Sequence, residues 1–306
     1  MNKPILYMMC GLVGSGKSSY AERLSKIDNC IIHASDKIRE EMGDINDQSK
    51  NEQVFAILHR RIKEDLKNGK NVIYDATNLN RRKRMAFLRE LKSTPCHKVC
   101  VLMATPYEIC VAQNNKRERN VPVEVIWNMV LRFQMPSTHE GFDEVIVHYK
   151  NEEWKEYHGE IEECVRNLCG FNQDNSHHTL TLGDHMLVAV DNALHLNGGI
   201  YEDVILAALS HDIGKQHTKS FYNSKGELGR EAHYYNHSNM GAYRSLFHKY
   251  PMYANKEYIA LLIELHMRPH LEWKQSEKAR QRDIKIFGKD VYNDVMMIYQ
   301  ADISAK

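Results

Sequence analysis

A layered α/β domain with a parallel sheet, followed by an all-α domain, is the architecture that the sequence predicts. Three observations predict it. Short apolar runs recur through residues 1–150 with helix-length stretches between them, the strand signal stops near residue 150, and helix-type periodicity takes over from there. At 306 residues and 42% hydrophobic content, the chain is long enough to build two cores.

The apolar runs are ILYMMC, CIIHA, NVIYD, KVCVLM and EVIVHY. Strands that alternate with helices pair in parallel through right-handed crossovers, so residues 1–150 are expected to form one domain. The charged stretch NEEWKEYHGEIEECVRNLCG follows, and residues 151–174 are expected to be a linker helix. In residues 175–306, helical spacing appears around 181–197, 202–215, 237–250, 254–267 and 289–304. The turn signals NGG at 197–199 and NSKGELG at 223–229 separate these stretches. Most of the 14 methionines sit within the apolar stripes and read as core filler.

Seven cysteines, an odd number in a chain without a secretory signal, argue against a disulfide framework and for a reducing cytoplasm. Cys96 and Cys100 resemble half a zinc site, but no second pair stands at ligand spacing. The apolar runs fall well short of the ~20 residues that cross a bilayer, so a soluble protein with no membrane partner is expected. Net charge is only +1, yet residues 1–150 hold 24 Lys and Arg against 18 Asp and Glu, whereas residues 151–306 hold 17 against 22. A polyanion therefore suits the first half better than the second.

GLVGSGKS at 11–18 follows an apolar strand and opens a helix, the context in which G-x-x-x-x-G-K-[ST] cradles phosphate. Gly11, Gly14, Ser15, Gly16, Lys17, Ser18 and Ser19 are the candidate nucleotide contacts. Glycines free the backbone N–H groups to curl around phosphate oxygens, and the helix N-terminus adds a favourable dipole. Lys17 would neutralise phosphate charge, and Ser18 would ligate Mg2+.

The segment SDKIRE sets Asp36 and Arg39 three apart on one helical face. A carboxylate there can take the proton of an attacking hydroxyl, and an arginine beside it can clamp an anionic part of the same acceptor. Read alone, the pair fits an ordinary helix start with a surface ion pair better. Asp75, in YDATNLN, stands at the end of the third strand, where ligands gather in open α/β sheets. Lys116, Arg117 and Arg119 precede Val-Pro and form either a lid over the nucleotide or a solvated helix end. The run RRKR at 81–84 can likewise grip a phosphate backbone or face water.

CGLVGSGKSS, SDKIRE, VIYDATNLN and the basic segment ahead of Val-Pro, in that order, resemble the bacteriophage-type 5′-hydroxyl polynucleotide kinases. The resemblance implies that Asp36 is the general base and Arg39 binds the phosphate next to the attacked hydroxyl. It implies too that Asp75 supports Arg39 or the metal and that Arg117 is the lid arginine. Gln113-Asn114 departs from the family's frequent Arg-Asn, which puts a lid contact in doubt.

In the second half, His185, His211, Asp212, His237, His266 and Asp302 fall mostly on apolar helical stripes. Unpaired polar groups are costly to bury there, and convergence on a cation removes that cost. Lys215, four residues after His211, reads as a phosphate-holding cation or a favourable helix end. His177, His178, His195, His233 and His270 lack such a pattern and read as surface or supporting residues.

The ordered series of His, His-Asp and late Asp resembles the HD phosphohydrolase superfamily. His237 and His266 match positions that its two-metal members use. This implies one or two divalent transition metals (Mn, Fe, Co, Ni or Zn) and hydrolytic attack at phosphorus, with Asp212 and Lys215 at the centre. The combination is similar to bacterial end-healing enzymes that join an HD phosphatase to a polynucleotide kinase, although there the HD module comes first. The implied substrate is RNA or DNA with a 5′-hydroxyl and a 3′-phosphate, 2′-phosphate or 2′,3′-cyclic phosphate, with ATP and Mg2+ as kinase cofactors and a ligase as a further partner. Two alternatives stay open at this point: both halves act on free nucleotides or another small metabolite, or a regulatory ATP-binding module is joined to a signal-nucleotide sensor.

Overall fold

The computed structural model describes residues 3–43, 49–149, 159–176, 178–196 and 202–305. Its chain contacts divide into two units, 1–127 with 136–150 and 128–135 with 151–306. The first boundary therefore departs from the simple cut at residue 150, because the stretch 128–135 belongs with the helices. Apolar burial accounts for this: Phe133 is fully buried, with its ring edge-on to Tyr243 at 5.2 Å. Residues 151–158 of the expected linker lie outside the described residues, and helical structure resumes at Ile161–Asn167.

In the first unit, the five apolar runs form β1 (Ile5–Cys10), β2 (Ile31–Ala34), β3 (Val72–Asp75), β4 (His97–Ala104) and β5 (Glu144–Tyr149). They lie in the order β2-β3-β1-β4-β5, and every pairing is parallel. Helices α1 (Lys17–Ile27), α2 (Ser35–Glu41), α3 (Asn51–Lys67), α4 (Arg81–Glu90) and α5 (Tyr107–Asn114) follow the strands, and α6 (Val123–Val130) begins in this unit and ends in the other. Leu6, Met8 and Cys10 are as deeply buried as Met9, so both faces of β1 are covered, as parallel sheets require. On α3 the buried residues are Val54, Leu58, Ile62 and Leu66, a stripe repeating every four residues. Because the strands run in parallel, the loops after β1, β2 and β3 all leave from one edge of the sheet. That edge carries the glycine loop, Asp36 and Asp75.

The RRKR run divides. Arg82 and Lys83 are exposed, whereas Arg81 and Arg84 are buried against Glu140. Arg84 meets Glu140 through two bonds, Nε to Oε2 at 2.7 Å and Nη2 to Oε1 at 2.6 Å. Its Nη1 also donates to the Asn78 carbonyl at 2.8 Å. Half of the apparent basic patch thus braces the loop after β3, which neither surface reading anticipates.

The second unit comprises α7 (Ile161–Asn167), α8 (Leu182–Leu196), α9 (Glu202–Ser210), the single turn α10 (Lys215–Thr218), α11 (His237–Ser245), α12 (Lys256–Leu265) and α13 (Glu277–Ile303). It is helical but not purely so. Around NSKGELG the chain forms an antiparallel hairpin of β6 (Ser220–Tyr222) and β7 (Leu228–His233), where the sequence predicts only a turn. β6 has three residues, too few for period-2 alternation to register, and the exposure of most of β7 removes the apolar signal that marks buried strands. The NGG turn signal at 197–199 lies outside the described residues. No helix among the described residues is long and apolar enough to cross a membrane.

Candidate active sites and metal centre

The glycine loop is shaped by contacts only glycine permits. A Cβ at Gly14, whose φ is +80°, would stand 2.1 Å from the Cys110 carbonyl oxygen. From beneath, the Gly11 N–H donates to the Thr77 carbonyl at 3.0 Å, and the Thr105 hydroxyl donates to the Ser15 carbonyl at 3.0 Å. Asn78 sits in the left-handed region and donates to the Met9 carbonyl at 2.8 Å. The DATNLN segment is thus a brace for the loop as well as the source of Asp75.

Lys17 is buried, and its ammonium donates to the Leu12 carbonyl at 2.6 Å and lies 3.4 Å from the Ser15 hydroxyl. Burial pulls its pKa down, and Arg117 adds to that fall, so Arg117 lies within electrostatic reach of the lysine. Ser18 Oγ donates to Asp75 Oδ2 at 2.8 Å, which ties Asp75 to the hydroxyl that would ligate Mg2+. Ser19 is exposed at the start of α1.

Asp36 stands in the first turn of α2 with its side chain half exposed. Its Oδ1 accepts from Arg39 Nη1 at 3.0 Å, and its Oδ2 lies 3.8 Å from Arg119. Arg39 is buried and also donates from Nη2 to Asn51 Oδ1 at 2.5 Å. Asn51 is a contact that no sequence motif flagged, because it lies twelve residues from Arg39 on a different helix. Lys116, Arg117 and Arg119 leave α5 in a turn rather than as a helix end. Asn114 staples that turn: its Nδ2 donates to the Val121 carbonyl at 2.9 Å, and its Oδ1 accepts from the Val121 N–H at 3.0 Å.

The six histidines and aspartates of the second unit come together. They form two trios, His185–His211–Asp302 and Asp212–His237–His266, each with its ligand atoms within 4.8 Å of one another. Fewer of them are helical than the periodicity predicts. His211 and Asp212 occupy the turn after α9, His237 opens α11, and His266 directly follows α12. Helix termini suit them, since carbonyls without intrahelical partners collect there. Nδ1 of His211 lies 2.7 Å from the Ala208 carbonyl, and Nδ1 of His266 lies 2.6 Å from that of Ile263. His237 Nδ1 meets the Tyr234 carbonyl at 2.7 Å, and His185 Nδ1 meets that of Ala305 at 2.7 Å. A carbonyl only accepts, so each Nδ1 carries the proton and each Nε2 presents a lone pair.

Those lone pairs face each other. His185 and His211 bring their Nε2 atoms to 3.3 Å, and His237 and His266 do the same. Two acceptors at that separation repel unless a proton or a metal cation lies between them. Atoms bound at ~2.1 Å to one divalent ion stand ~3.0–3.4 Å apart, so the donor set fits such an ion. Asp212 joins the trios: Oδ1 lies 3.2 Å from His237 Nε2, and Oδ2 lies 3.4 Å from His211 Nε2. Asp302 Oδ1 lies 3.1 Å from His185 Nε2, and its Oδ2 lies 3.1 Å from His270.

The electrostatics divide the histidines. Burial pushes His266 down to about 4, which keeps it an unprotonated ligand. Burial acts on His211 too, but the Asp212 and Asp302 carboxylates outweigh it and lift the imidazole to about 10. That reversal comes from the two carboxylates, and it means that without metal the His211 Nε2 carries a proton that a bound cation would displace. Burial also opposes the ionisation of Asp212, yet Lys215 and His211 hold its carboxyl well below the usual range.

Lys215 is buried, and its ammonium lies 2.6 Å from Asp212 Oδ2 and donates to Gln173 Oε1 at 2.9 Å. It also stands 3.1 Å from His178 Nε2. A turn separates Lys215 from α9, so it neither continues nor ends that helix. Gln173 escapes sequence reasoning because a loop glutamine carries no periodic signal, while His178 takes a supporting place. His270, read only as a supporting residue, meets Asp302, while His177 lies outside the described residues. Gly214 is set by packing: a Cβ there would stand 2.0 Å from the His237 carbonyl oxygen.

A glycine phosphate loop on a parallel sheet, joined to a helical histidine–aspartate centre, defines a P-loop kinase-like protein with a metal-dependent hydrolase-type domain. Residues 6–136 match the family described as AAA domain, and residues 182–292 match the family described as HD domain. The chain therefore carries a P-loop kinase-like domain first and an HD domain second, an enzyme-type pairing that implies ATP with Mg2+ in one and divalent metal in the other. It is similar to an L-seryl-tRNA(Sec) kinase of Methanococcus maripaludis, with 31% identity over 145 residues, 45% of this chain and 56% of that relative. The chain thus spans little more than half of that relative's length. Among solved structures it is similar to the Pnkp1/Rnl/Hen1 RNA repair complex, with 24% identity, 43% of this chain and 44% of that one covered, and a TM-score of 0.38. A putative kinase from Chloroflexus aurantiacus overlays at 14% identity, 49% and 86% coverage and a TM-score of 0.40.

Proposed function

We propose that the protein is a bifunctional nucleic-acid end-healing enzyme. One activity transfers phosphate from ATP to a 5′-hydroxyl end, and the other removes a 3′-phosphate, 2′-phosphate or 2′,3′-cyclic phosphate. The observation that carries this reading is Asp212, whose two oxygens face two separate histidine-containing trios in a chain that also holds a phosphate loop. Divalent cations held by His185, His211 and Asp302, and by Asp212, His237 and His266, would supply water activation and stabilise the leaving oxygen. The chain's own part is orientation: four backbone carbonyls hold the ligand imidazoles in one tautomer. Lys215, beside Asp212, would bind the substrate phosphate by turning one N–H from His178 or Gln173.

At the kinase site, Lys17, Arg117 and the N–H groups of Gly14–Ser19 would hold the nucleotide phosphates, with Arg119 in the lid beside them. Ser18 and Asp75 would serve Mg2+. Asp36 would accept the proton of the attacking hydroxyl, and Arg39, fixed by Asn51, would hold the adjoining phosphate. The products, a 5′-phosphate and a 3′-hydroxyl, are the ends that a ligase joins, which makes a ligase the proposed partner.

The likeness to an L-seryl-tRNA(Sec) kinase supports a second reading of the kinase site alone, with the acceptor hydroxyl on an aminoacyl-tRNA. One experiment separates the two. The protein is incubated with γ-labelled ATP, Mg2+, a panel of divalent metals and an RNA bearing a 5′-hydroxyl and a 2′,3′-cyclic phosphate, with seryl-tRNA in a parallel reaction. Label at the RNA 5′ end and loss of the cyclic phosphate are expected. Label on seryl-tRNA alone overturns the 5′-kinase assignment.

A further inference from the structure

The hairpin β6–β7 is not used in either reaction, yet it leaves the second unit between two ligand-bearing segments, Asp212 on one side and His237 on the other. Its surface is unusual. Of the four exposed large aromatics among the described residues, three lie in this segment: Phe221, Tyr222 and Tyr235, at 37%, 56% and 45% exposure. Single exposed apolar residues are ordinary, whereas a concentration of rings beside a site marks a binding surface.

One of these rings flanks a cation. The Lys219 ammonium, paired with Asp174 Oδ2 at 2.5 Å, lies 4.6 Å from the ring centroid of Phe171 and 5.9 Å from that of Phe221. At the foot of the hairpin, His233 and Tyr235 stack with centroids 5.5 Å apart and planes 17° from parallel. Between them, Tyr234 is tied into the centre. Its carbonyl holds His237, its hydroxyl donates to the Gln173 carbonyl at 2.5 Å, and its ring lies 5.4 Å from the Lys215 ammonium. The stacked pair is thus one residue on either side of a group that touches both a ligand histidine and the lysine.

Flat exposed rings interleaved with cationic side chains are what a protein presents to unpaired bases and their phosphates. We propose that the hairpin and the stacked pair form a base-stacking arm for a single-stranded nucleic acid whose phosphorylated end lies at the histidine–aspartate centre. This rests on the hydrolase reading above and adds the strand polarity and the residues that select a polymer over a small phosphoester. Tyr235 and His233 would receive the bases nearest the end, and Tyr222 and Phe221 those farther along.

The test measures binding of a short single-stranded oligonucleotide, 3′-phosphorylated and 5′-labelled, by fluorescence anisotropy with the full chain. Hydrolysis of the same oligonucleotide and of p-nitrophenyl phosphate is followed in parallel. In the Tyr222→Ala/Tyr235→Ala variant, binding is expected to weaken about 30-fold or more, and KM for the oligonucleotide to rise to match. Turnover of p-nitrophenyl phosphate should stay within about twofold, and Tyr235→Phe should restore its share of the binding. Oligonucleotide binding unchanged in the double variant, or an equal fall on both substrates, overturns the arm. If the wild-type chain hydrolyses neither ester, the hydrolase reading fails, and anisotropy alone decides whether the rings hold bases.

Discussion

Around Gly11–Ser18, the groups available to phosphate are backbone N–H groups and one buried lysine, and the neighbouring carboxylate Asp36 is half open to solvent. In the helical unit the relation is reversed. The functional groups are side chains, nearly all buried, and the backbone serves them by accepting from each imidazole. The first arrangement suits a large anionic ligand that brings its own metal and must leave each cycle. The second suits resident cations, because facing imidazole nitrogens and buried carboxylates converge where a bound positive charge would satisfy both. The two regions thus handle phosphate by opposite means, one by a shaped main chain and the other by concentrated ligands.

Separate sites imply separable losses, and that is the strongest way to break the comparison. Asp36→Ala is expected to lower 5′-phosphorylation by ~10²–10⁴-fold while leaving hydrolysis unchanged. Asp212→Ala should lower hydrolysis by more than ~100-fold and strip bound metal, read by elemental analysis, with the kinase unaffected. Loss of both activities in either variant, with the fold intact by circular dichroism, would show one shared site.

Chelation sharpens the same contrast through stability. A ligand at about 100 times its Kd stabilises the native state by about 2.7 kcal/mol, so a chelator should lower the unfolding temperature of the second unit by several degrees. ATP with Mg2+ should raise that of the first. Calorimetry that finds a single transition insensitive to chelator argues against resident cations.

Smaller effects probe how each backbone is held. Gly214→Ala forces a methyl group against the His237 carbonyl, which should cost about 1–3 kcal/mol and reduce hydrolysis by ~10-fold without touching the kinase. The hydrolase pH profile should keep its shape, since no titrating group is removed. Asn114→Ala releases the turn bearing Arg117 and Arg119 and should raise KM for ATP about two- to fivefold, with hydrolysis again unchanged. A fall in kcat with KM constant would mean that the staple acts on the chemical step instead.

Much of this was legible because it is local. Each of the five apolar runs is a strand, since parallel strands buried on both faces leave a continuous apolar signature, and the glycine loop announces itself by residues that only a tight turn tolerates. Three of the four candidate ligand histidines are held by carbonyls three residues earlier, a relation written into the chain itself. What required the folded chain was everything joined across distance. The carbonyl that holds His185 lies 120 residues away, Asn51 meets Arg39 from another helix, and Arg81 and Arg84 turn inward because Glu140 lies buried beside them. Periodicity reports which face of an element is apolar, but it carries no information on which partner occupies that face. The six candidate ligands could therefore be picked out in one dimension, while their gathering into two trios exists only once helices distant in sequence have packed.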